Sequence, residues 1–211
     1  MSTESPLPEG LVTREDGRRS CSWGASDPRM SAYHDTEWGF PVRDEHRLFE
    51  KLCLEGFQSG LSWRTVLIKR PAFREVFFDF DFERVARMGD DDVARLLQDA
   101  RIIRHRGKIE ATVNNARRAC DAVSAHGSLG ALLWRYAPAS SPVPRSRADR
   151  VATSPESVRL ARDLKKLGWR FFGPTTAYAF MQAMGMVNDH LEGCWVREAC
   201  EVARAQFERP A

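Results

Sequence analysis

Hydrophobic residues recur at helical spacing over most of the chain. Between residues 43 and 60 the apolar positions are three or four apart, which predicts an amphipathic helix with acidic residues at its positive N-terminal end. Ser62 can cap a second helix that runs through Ile68 and stops near Pro71. Three shorter helical patterns follow over 72–78, 82–88 and 91–99.

The second half of the chain carries the same periodicity. Helices are predicted over 108–123 and 128–136. Residues 153–156 have the spacing of a capping box and open a helix that ends at Gly168, where a left-handed C-cap fits. A last helix is predicted over 174–184. Because strand alternation is confined to short fragments, the sequence predicts an all-α fold.

Length and composition fit one large domain or two small interleaved ones, and a single core is the default expectation. The chain has 211 residues and a mass of 24.0 kDa, with proportions of hydrophobic and charged residues that are usual in soluble globular proteins. We expect a flexible N-terminal tail over 1–20, a folded domain over 21–200 and a C-terminal tail over 201–211. The Pro-, Ser- and Arg-rich stretch 137–153 is predicted as the main internal loop.

Compartment is indicated by what the sequence lacks. No apolar run approaches the roughly 18 residues that a membrane-spanning helix needs. The N-terminus also lacks the hydrophobic stretch of a secretory signal. Five scattered cysteines argue against a disulfide framework in a chain of this size. We therefore expect a cytoplasmic protein that does not contact a membrane.

One short segment is strongly basic, although the net charge of the chain is only +3. Residues 101–118 hold six basic residues and one acidic residue. The apolar pair Ile102-Ile103 precedes a basic turn and a helix start, an order that suits a helix-hairpin-helix unit. Backbone N–H groups of such a unit bind a DNA phosphate, whereas a solvated basic loop fits the same residues equally well. The candidate DNA contacts are Arg104, Arg106, Gly107 and Lys108.

Two Cys/His pairs stand near the two ends of the chain. Twelve residues separate Cys21 from His34, and three separate His190 from Cys194. Two cysteines and two histidines fill a tetrahedral zinc site with no open position, which indicates a structural metal that ties the N-terminal segment to the C-terminal segment. The alternatives are a core or surface histidine at His190 and a small buried hydrophobe at Cys194. Cys200 is a competing ligand.

Aromatic residues are concentrated between residues 31 and 63, around the polar residues Glu55 and Gln58. Glu55 lies at the end of a predicted amphipathic helix, where a carboxylate is normally solvated unless it lines a pocket. Flat aromatic walls suit a flat base, although plain core packing also explains them. The aromatic residues are Tyr33, Trp38, Phe40, Phe57 and Trp63.

Four segments together resemble the bacterial 3-methyladenine DNA glycosylase type I family. The resemblance covers roughly Cys21 to Cys194, in order and with the family's spacings. It implies a helical fold of the helix-hairpin-helix glycosylase superfamily, and a structural zinc ion held by Cys21, His34, His190 and Cys194. The segments are SDPRMSAYHDTEWGFPV, LCLEGFQSGLSW, QDARIIRHRGKI and FMQAMGMVNDHLEGC.

The resemblance also implies roles for residues of the aromatic segment. Glu55 matches the family's essential pocket glutamate, and Tyr33, Trp38 and Trp63 match aromatics that enclose the flipped base, with Trp23 near the same wall. The loop after Glu55 corresponds to the family's DNA interface, where Leu61 is the expected plug for the vacated base stack. The loop residues that match are Gln58, Gly60 and Leu61.

Two positions depart from the family pattern. Arg101 stands where a hairpin glycine is usual, which shifts the hairpin if the backbone there needs a positive φ. Phe57 stands beside Gln58 where the family often has a second glutamine. Phe57 either alters the polar contacts of the pocket or faces the core.

The activity implied by the resemblance is base excision. A monofunctional hydrolase would flip N3-methyladenine out of the duplex and cleave its N-glycosidic bond, with N3-methylguanine as a further candidate substrate. Methylation at N3 makes the base a cation and a good leaving group, so recognition can do much of the catalysis. The expected partner is double-stranded DNA that contains alkylated purines, bound by a monomer.

Other hypotheses fit parts of the sequence. A non-catalytic zinc-containing binder of alkylated or distorted DNA needs no carboxylate in a pocket that faces polyanionic DNA, which argues against it. A zinc hydrolase with Glu55 as general base is disfavoured, because four protein ligands close the coordination sphere. Lyase activity through Lys108 needs a depressed pKa and access to the pocket, so contact with phosphate is the preferred role. Asp121 follows the hairpin but is not assigned a catalytic role.

Overall fold

The computed structural model describes residues 7–210, and these residues are mostly helical. Two short strands, β1 (Leu11–Thr13) and β2 (Arg19–Cys21), come first. None of the helices in this part of the chain is both long and apolar enough to span a membrane. The helices are α1 (Pro28–Thr36), α2 (Glu45–Gln58), α3 (Trp63–Val76), α4 (Phe82–Val85), α5 (Asp90–Leu96), α6 (Arg106–His126), α7 (Leu129–Trp134), α8 (Pro155–Lys166), α9 (Pro174–Ala183) and α10 (Arg197–Ala205).

The described residues divide into two compact units, each built from segments that are far apart in the sequence. The first unit combines residues up to 41 with 138–152 and 182–207. The second unit combines 42–137, 153–181 and 208–210. Each unit is discontinuous because distant segments of the chain pack on one another, which local periodicity does not reveal.

The first unit is built on a β-hairpin in the region predicted as a flexible tail. Leu11 pairs with Cys21 in antiparallel register, and both side chains are buried in a small core. Three-residue strands are too short to show alternation in the sequence, which is why the sequence predicts a tail here instead of a hairpin. Residues 1–6 of the same prediction lie outside the described residues. The core contains Leu11, Cys21, Leu191, Cys194, Val196 and Cys200.

The C-terminal prediction also changes. Helix α10 runs from Arg197 to Ala205 and therefore occupies the first part of the tail predicted over 201–211. Within the second unit, Pro210 lies against Gly130, where an added Cβ would meet its ring at 2.9 Å. The segment is held by packing that its polar composition does not indicate.

The second unit surrounds α2, whose inner face is almost entirely buried. Helices α3, α6 and α7 pack on α2, and phenylalanine rings fill the space between them. Phe57 of α2 is 1% exposed and lies 4.5 Å from Phe73 of α3, centroid to centroid. The Phe57 side chain therefore faces the core of the second unit.

The predicted end of α3 near Pro71 is wrong. The helix continues to Val76 with Pro71 inside it, and so absorbs most of the separate helix predicted over 72–78. A proline removes one N–H from the helical ladder, which normally ends a helix. Here Phe73 and Val76 are buried against the second unit's core, and this tertiary packing outweighs the local penalty.

Two predicted helix starts shift by one or two residues because the capping residues differ. The N-cap of α8 is Ser154, whose hydroxyl accepts the N–H of the third helical residue. The observed capping box therefore begins one residue after the one predicted over 153–156. Helix α6 begins at Arg106 rather than Lys108, since the His105 ring accepts the Lys108 N–H at 3.3 Å. Histidine is an uncommon cap, and the sequence analysis did not consider it.

We expect Gly24→Ala to destabilise the first unit. A Cβ on Gly24 would clash with the ring of His34, which is completely buried. Overpacking of this kind costs about 1–3 kcal/mol in free energy of unfolding, measured by urea denaturation. The control is Gly89→Ala, where an added Cβ meets nothing within 4 Å and a loss of less than about 1 kcal/mol is expected. Equal losses of free energy of unfolding in the two variants would contradict the close packing of Gly24 against His34.

Candidate active site

Glu55 lies in the last turn of α2, the helix that Asp44 begins by accepting the Arg47 N–H. Its side chain is 5% exposed, which is unusual for a carboxylate. One helical turn earlier, Lys51 places its Nζ 2.8 Å from Glu55 Oε1, and the lysine is equally buried. The i,i+4 spacing on one helix produces this pair.

Lys51 also contacts the candidate base-binding residue Trp63. Ser62 begins α3 by accepting the Thr65 N–H, and this places Trp63 at the first helical position. The Nζ of Lys51 lies 3.3 Å from the centroid of the Trp63 ring, a cation–π contact. The structure therefore joins Glu55 and Trp63 through one ammonium group.

Lys51 is a residue of this site that the sequence analysis missed. The signal was present, since a lysine stands four residues before Glu55 and three after the buried Leu48. A charged residue on the apolar stripe of a helix is either paired or carries a function.

The loop between α2 and α3 holds the other predicted residues of the second unit. Gln58 ends α2 and is half-buried, whereas Gly60 is exposed and has a φ of +81°. Leu61 is 42% exposed, an unusual place for a large apolar side chain, though single exposed leucines occur in many proteins. The interface role predicted for these residues remains a prediction.

The remaining predicted base-binding aromatics lie together in the first unit. The Trp23 ring is edge-on to Trp38, with centroids 4.9 Å apart, and 6.4 Å from Tyr33. Tyr33 and Trp38 are buried. Trp23 and Trp38 also contact the rings of His34 and His190, respectively, so this aromatic cluster borders the Cys/His residues.

The four residues predicted as metal ligands meet in the first unit and are all buried. Their ligand atoms lie within 4.8 Å of one another. Cys194 Sγ is 3.6 Å from both His34 Nε2 and His190 Nδ1. Zinc bond lengths in a tetrahedral site imply an S···N separation of about 3.6 Å, so the donor atoms fit a metal ion of this kind. The cluster comprises Cys21, His34, His190 and Cys194.

Hydrogen bonds on the far side of each imidazole orient the ligand nitrogens. The Nδ1 of His34 lies 2.7 Å from Asp35 Oδ1, and the Nε2 of His190 lies 2.9 Å from the Trp38 carbonyl. With those nitrogens donating, Nε2 of His34 and Nδ1 of His190 face Cys194 as acceptors. This arrangement is the one that metal ligation requires.

Charges around the cluster are also arranged for a cation. The pKa of Cys194 is lowered, chiefly because the Cys21 thiol donates to it and despite the opposing effect of burial, whereas the pKa of Cys21 is raised. Burial acts to raise the pKa of Asp35, but hydrogen bonds from Arg14 and His34 outweigh it, and the pKa is lowered. A thiolate and a supported imidazole are good metal ligands.

The basic segment forms the start of α6 and the turn that joins it to α5. Arg104 and Arg106 are exposed, and Arg106 lies 3.4 Å from Glu110. Lys108 differs, because its side chain is buried and its ammonium donates to the carbonyls of Phe57 and Ser59 at 2.9 and 2.6 Å. Burial lowers the pKa of Lys108. In the structure Lys108 therefore fastens the end of α2 to α6.

Arg101 is accommodated without the strain that its position suggested. It does not appear among the non-glycine residues with positive φ in the described part of the chain. Its guanidinium donates to Asp99 and Glu75, and Lys69 donates to the Arg101 carbonyl at 3.0 Å. The turn is thus supported by ion pairs of Arg101 with Asp99 and Glu75.

Comparisons with known proteins identify the family to which the chain belongs. The methyladenine glycosylase family matches residues 23–198. The DNA-3-methyladenine glycosylase 1 of Escherichia coli K12 is 46% identical over 176 residues, which cover 82% of this chain and 94% of that protein. The DNA-3-methyladenine glycosylase of Haemophilus influenzae is 43% identical over 178 residues, covering 82% and 95%.

Solved structures give the same result. A crystal structure of 3-methyladenine DNA glycosylase I has a TM-score of 0.79 and 46% identity, covering 83% of this chain and 98% of that one. A structure of the Staphylococcus aureus enzyme, described as showing how 3-methyladenine is recognised, has a TM-score of 0.81 and 37% identity, covering 84% and 96%. Because sequence and fold agree over most of its length, the chain belongs to the methyladenine glycosylase family.

Proposed function

We propose that the protein is a DNA glycosylase that hydrolyses the N-glycosidic bond of N3-methyladenine in alkylated double-stranded DNA. The observation that carries the proposal is the pairing of the buried Glu55 with the half-buried Trp63. Together they hold a positive charge, the ammonium of Lys51, between a carboxylate and an aromatic face. A purine methylated at N3 is a flat cation, for which these are suitable binding groups. N3-methylguanine carries the same charge and is included as a substrate.

Recognition of the charged base accounts for much of the proposed catalysis. Flipping the nucleotide out of the duplex costs a few kcal/mol, less at a damaged base. Contact with the Trp63 ring returns about 0.5–2 kcal/mol for a cationic base and little for neutral adenine. Glu55 accepts from the exocyclic amine and then stabilises the positive charge that develops on the sugar as the base leaves. Water adds to the sugar, without a covalent enzyme intermediate.

The other base-binding and interface residues remain part of the proposal. Family membership supports Tyr33, Trp38, Trp23 and Gln58 as base-binding residues. One solved relative is described in complex with 3-methyladenine and another as recognising it, which supports a site for this base. At the interface, Leu61 is proposed to fill the vacated stack, with Gly60 giving the loop its left-handed turn.

The segment from α5 to α6 is proposed as a helix-hairpin-helix that holds the DNA backbone. The first turn of α6 presents backbone N–H groups at Arg106 and Gly107, and Arg104 and Arg106 add exposed positive charge. Lys108 contributes through its backbone and through the α2 carbonyls that it fixes. With its ammonium held by two carbonyls, Lys108 is not proposed as a Schiff-base nucleophile, and the enzyme is proposed to be monofunctional. One hairpin and one base site require only a monomer.

The Cys/His cluster of the first unit is proposed to hold one structural zinc ion. The separations of the donor atoms and the orientation of both imidazoles support zinc. Four protein ligands leave no position for substrate or water, so the metal would stabilise the fold and take no part in the reaction. It would join the end of β2 and helix α1 to the segment before α10.

The central test is release of free bases from methylated duplex DNA, followed by chromatography. Native protein should release 3-methyladenine, and Glu55→Gln should reduce the rate about 10²–10³-fold because it removes the negative charge. Glu55→Gln also leaves the Lys51 ammonium without its carboxylate and should lower the free energy of unfolding by about 3 kcal/mol or more.

The double variant Lys51→Met with Glu55→Gln separates the two effects. It removes both buried charges, so stability should return while base release stays low. Recovery of both stability and activity would show that Glu55 is structural only. If native protein releases no methylated base but binds damaged DNA, the protein is instead a non-catalytic binder.

Metal analysis tests the zinc proposal. Purified protein should contain one zinc ion per chain, and Cys194→Ser should lose it together with free energy of unfolding on the order of several kcal/mol. Cys120→Ser is the matched control, since Cys120 lies half-buried on α6 in the second unit. Activity should fall only as the fold is lost. Native protein that contains no metal and is nevertheless fully stable would contradict the zinc proposal.

Salt dependence of DNA binding tests the hairpin. Arg104→Ala and Arg106→Ala should each weaken binding to all sequences and reduce the slope of log K against log salt by about 1. Arg159→Ala, which removes an exposed arginine of α8, should leave the slope unchanged. If all three variants behave alike, the hairpin does not contact phosphate.

A further inference from the structure

Lys51 is a buried cation that the proposed reaction does not use. Its side chain is as deeply buried as that of Glu55, and its ammonium contacts both groups proposed to bind the charged base. An ammonium 2.8 Å from a carboxylate oxygen and 3.3 Å from an indole centroid occupies the place where a methylated purine would be held. Substrate and lysine therefore compete for one cation site.

We propose that Lys51 is a resident cation that yields Glu55 and Trp63 to the charged base and takes them back after cleavage. This inference rests on the proposed function. The four-carbon side chain of a lysine is flexible enough to swing the ammonium off the ring without movement of the helix. A cationic base then replaces the ammonium charge for charge, so that Glu55 is never left buried without a counter-charge.

After cleavage, Lys51 rather than the base is the better partner for Glu55. Hydrolysis breaks the bond between the sugar C1′ and the purine nitrogen, and the electron pair stays on the nitrogen and cancels the ring's positive charge. Water oxygen bonds to C1′, and the proton of that water passes to solvent. The neutral product no longer compensates Glu55, whereas the ammonium does. Lys51 thereby favours release of the product.

The competing explanation is a static ion pair that only fastens α2 to α3. Such a pair affects stability but not the affinity for free base relative to substrate. The two explanations are therefore separated by measuring inhibition by free 3-methyladenine rather than stability or overall rate.

The first experiment measures the inhibition constant of free 3-methyladenine in the base-release assay. Without the resident competitor, Lys51→Met should bind the neutral product about ten-fold more tightly, a gain of the size of one cation–π contact. Lys51→Arg keeps the positive charge and should keep the native constant. Lys165→Met makes the same substitution on an exposed face of α8 and should have no effect. An unchanged or raised constant in Lys51→Met overturns the proposal.

The second experiment uses native protein, so its result does not depend on whether a variant folds. In the NMR spectrum the ε-methylene of Lys51 should lie upfield, because its ammonium stands over the Trp63 ring. N-methylquinolinium, a flat aromatic cation, should return that resonance to its ordinary position as it binds. Its neutral isostere 1-methylnaphthalene, at the same concentration, should leave the resonance shifted.

The outcomes of the second experiment are distinct from those of the activity assay. If both compounds displace Lys51 equally, or if the cation inhibits the enzyme without moving the resonance, charge exchange does not occur and the inference is wrong. If the cation alone displaces Lys51 but native protein releases no methylated base, the cation site stands and the proposed glycosylase function is what fails.

Discussion

Ionised groups buried in both units must each have a compensating charge or a set of hydrogen bonds, and much of the local structure serves this requirement. In the second unit the carboxylate of Glu55 is met by the ammonium of Lys51. In the first unit the thiol of Cys21 and two imidazoles surround Cys194 and lower its pKa. A buried charge without such partners costs several kcal/mol, so each arrangement holds together the segments that supply its parts.

Lys108 shows how the same requirement links separate parts of the second unit. The last carbonyls of a helix have no hydrogen-bond partner within the helix. Here the Lys108 ammonium donates to the carbonyls of Phe57 and Ser59. One side chain thus joins the end of the helix that carries Glu55 to the start of α6, where the exposed Arg106 lies. Its lowered pKa results from the burial that this position imposes.

The sequence predicts the long amphipathic helices and the Cys/His cluster well, because both leave local signals. Helix α2 shows a continuous apolar stripe, and the Cys/His pairs show ligand types whose positions the structure brings together. Helix α1 was not predicted, although Asp27 before Pro28 is a standard N-terminal signal. The hairpin of β1 and β2 could not be predicted, since three-residue strands carry too little alternation.

Side-chain direction was the main quantity that local sequence could not supply. A lysine beside a basic turn suggests a solvent-facing contact, and only the fold shows that Lys108 points to carbonyls some fifty positions earlier. The role of Phe57 was open for the same reason, and packing against Phe73 decides it. In contrast, the Lys51–Glu55 pair can be predicted from the i,i+4 spacing of the two residues on α2.

The charge balance of the site bears on how the glycosidic bond is broken. Whether the Lys51 ammonium or, in the proposed exchange, a cationic base occupies the site, Glu55 faces a positive charge, and its proposed role is to stabilise charge rather than to donate a proton. The positive charge that makes the base a good leaving group must then arrive with the substrate, as N3-methylation provides. Neutral adenine brings no such charge and would gain little from contact with Trp63. In the proposed reaction, the carboxylate and the aromatic face that hold the Lys51 ammonium would therefore favour damaged bases over normal ones.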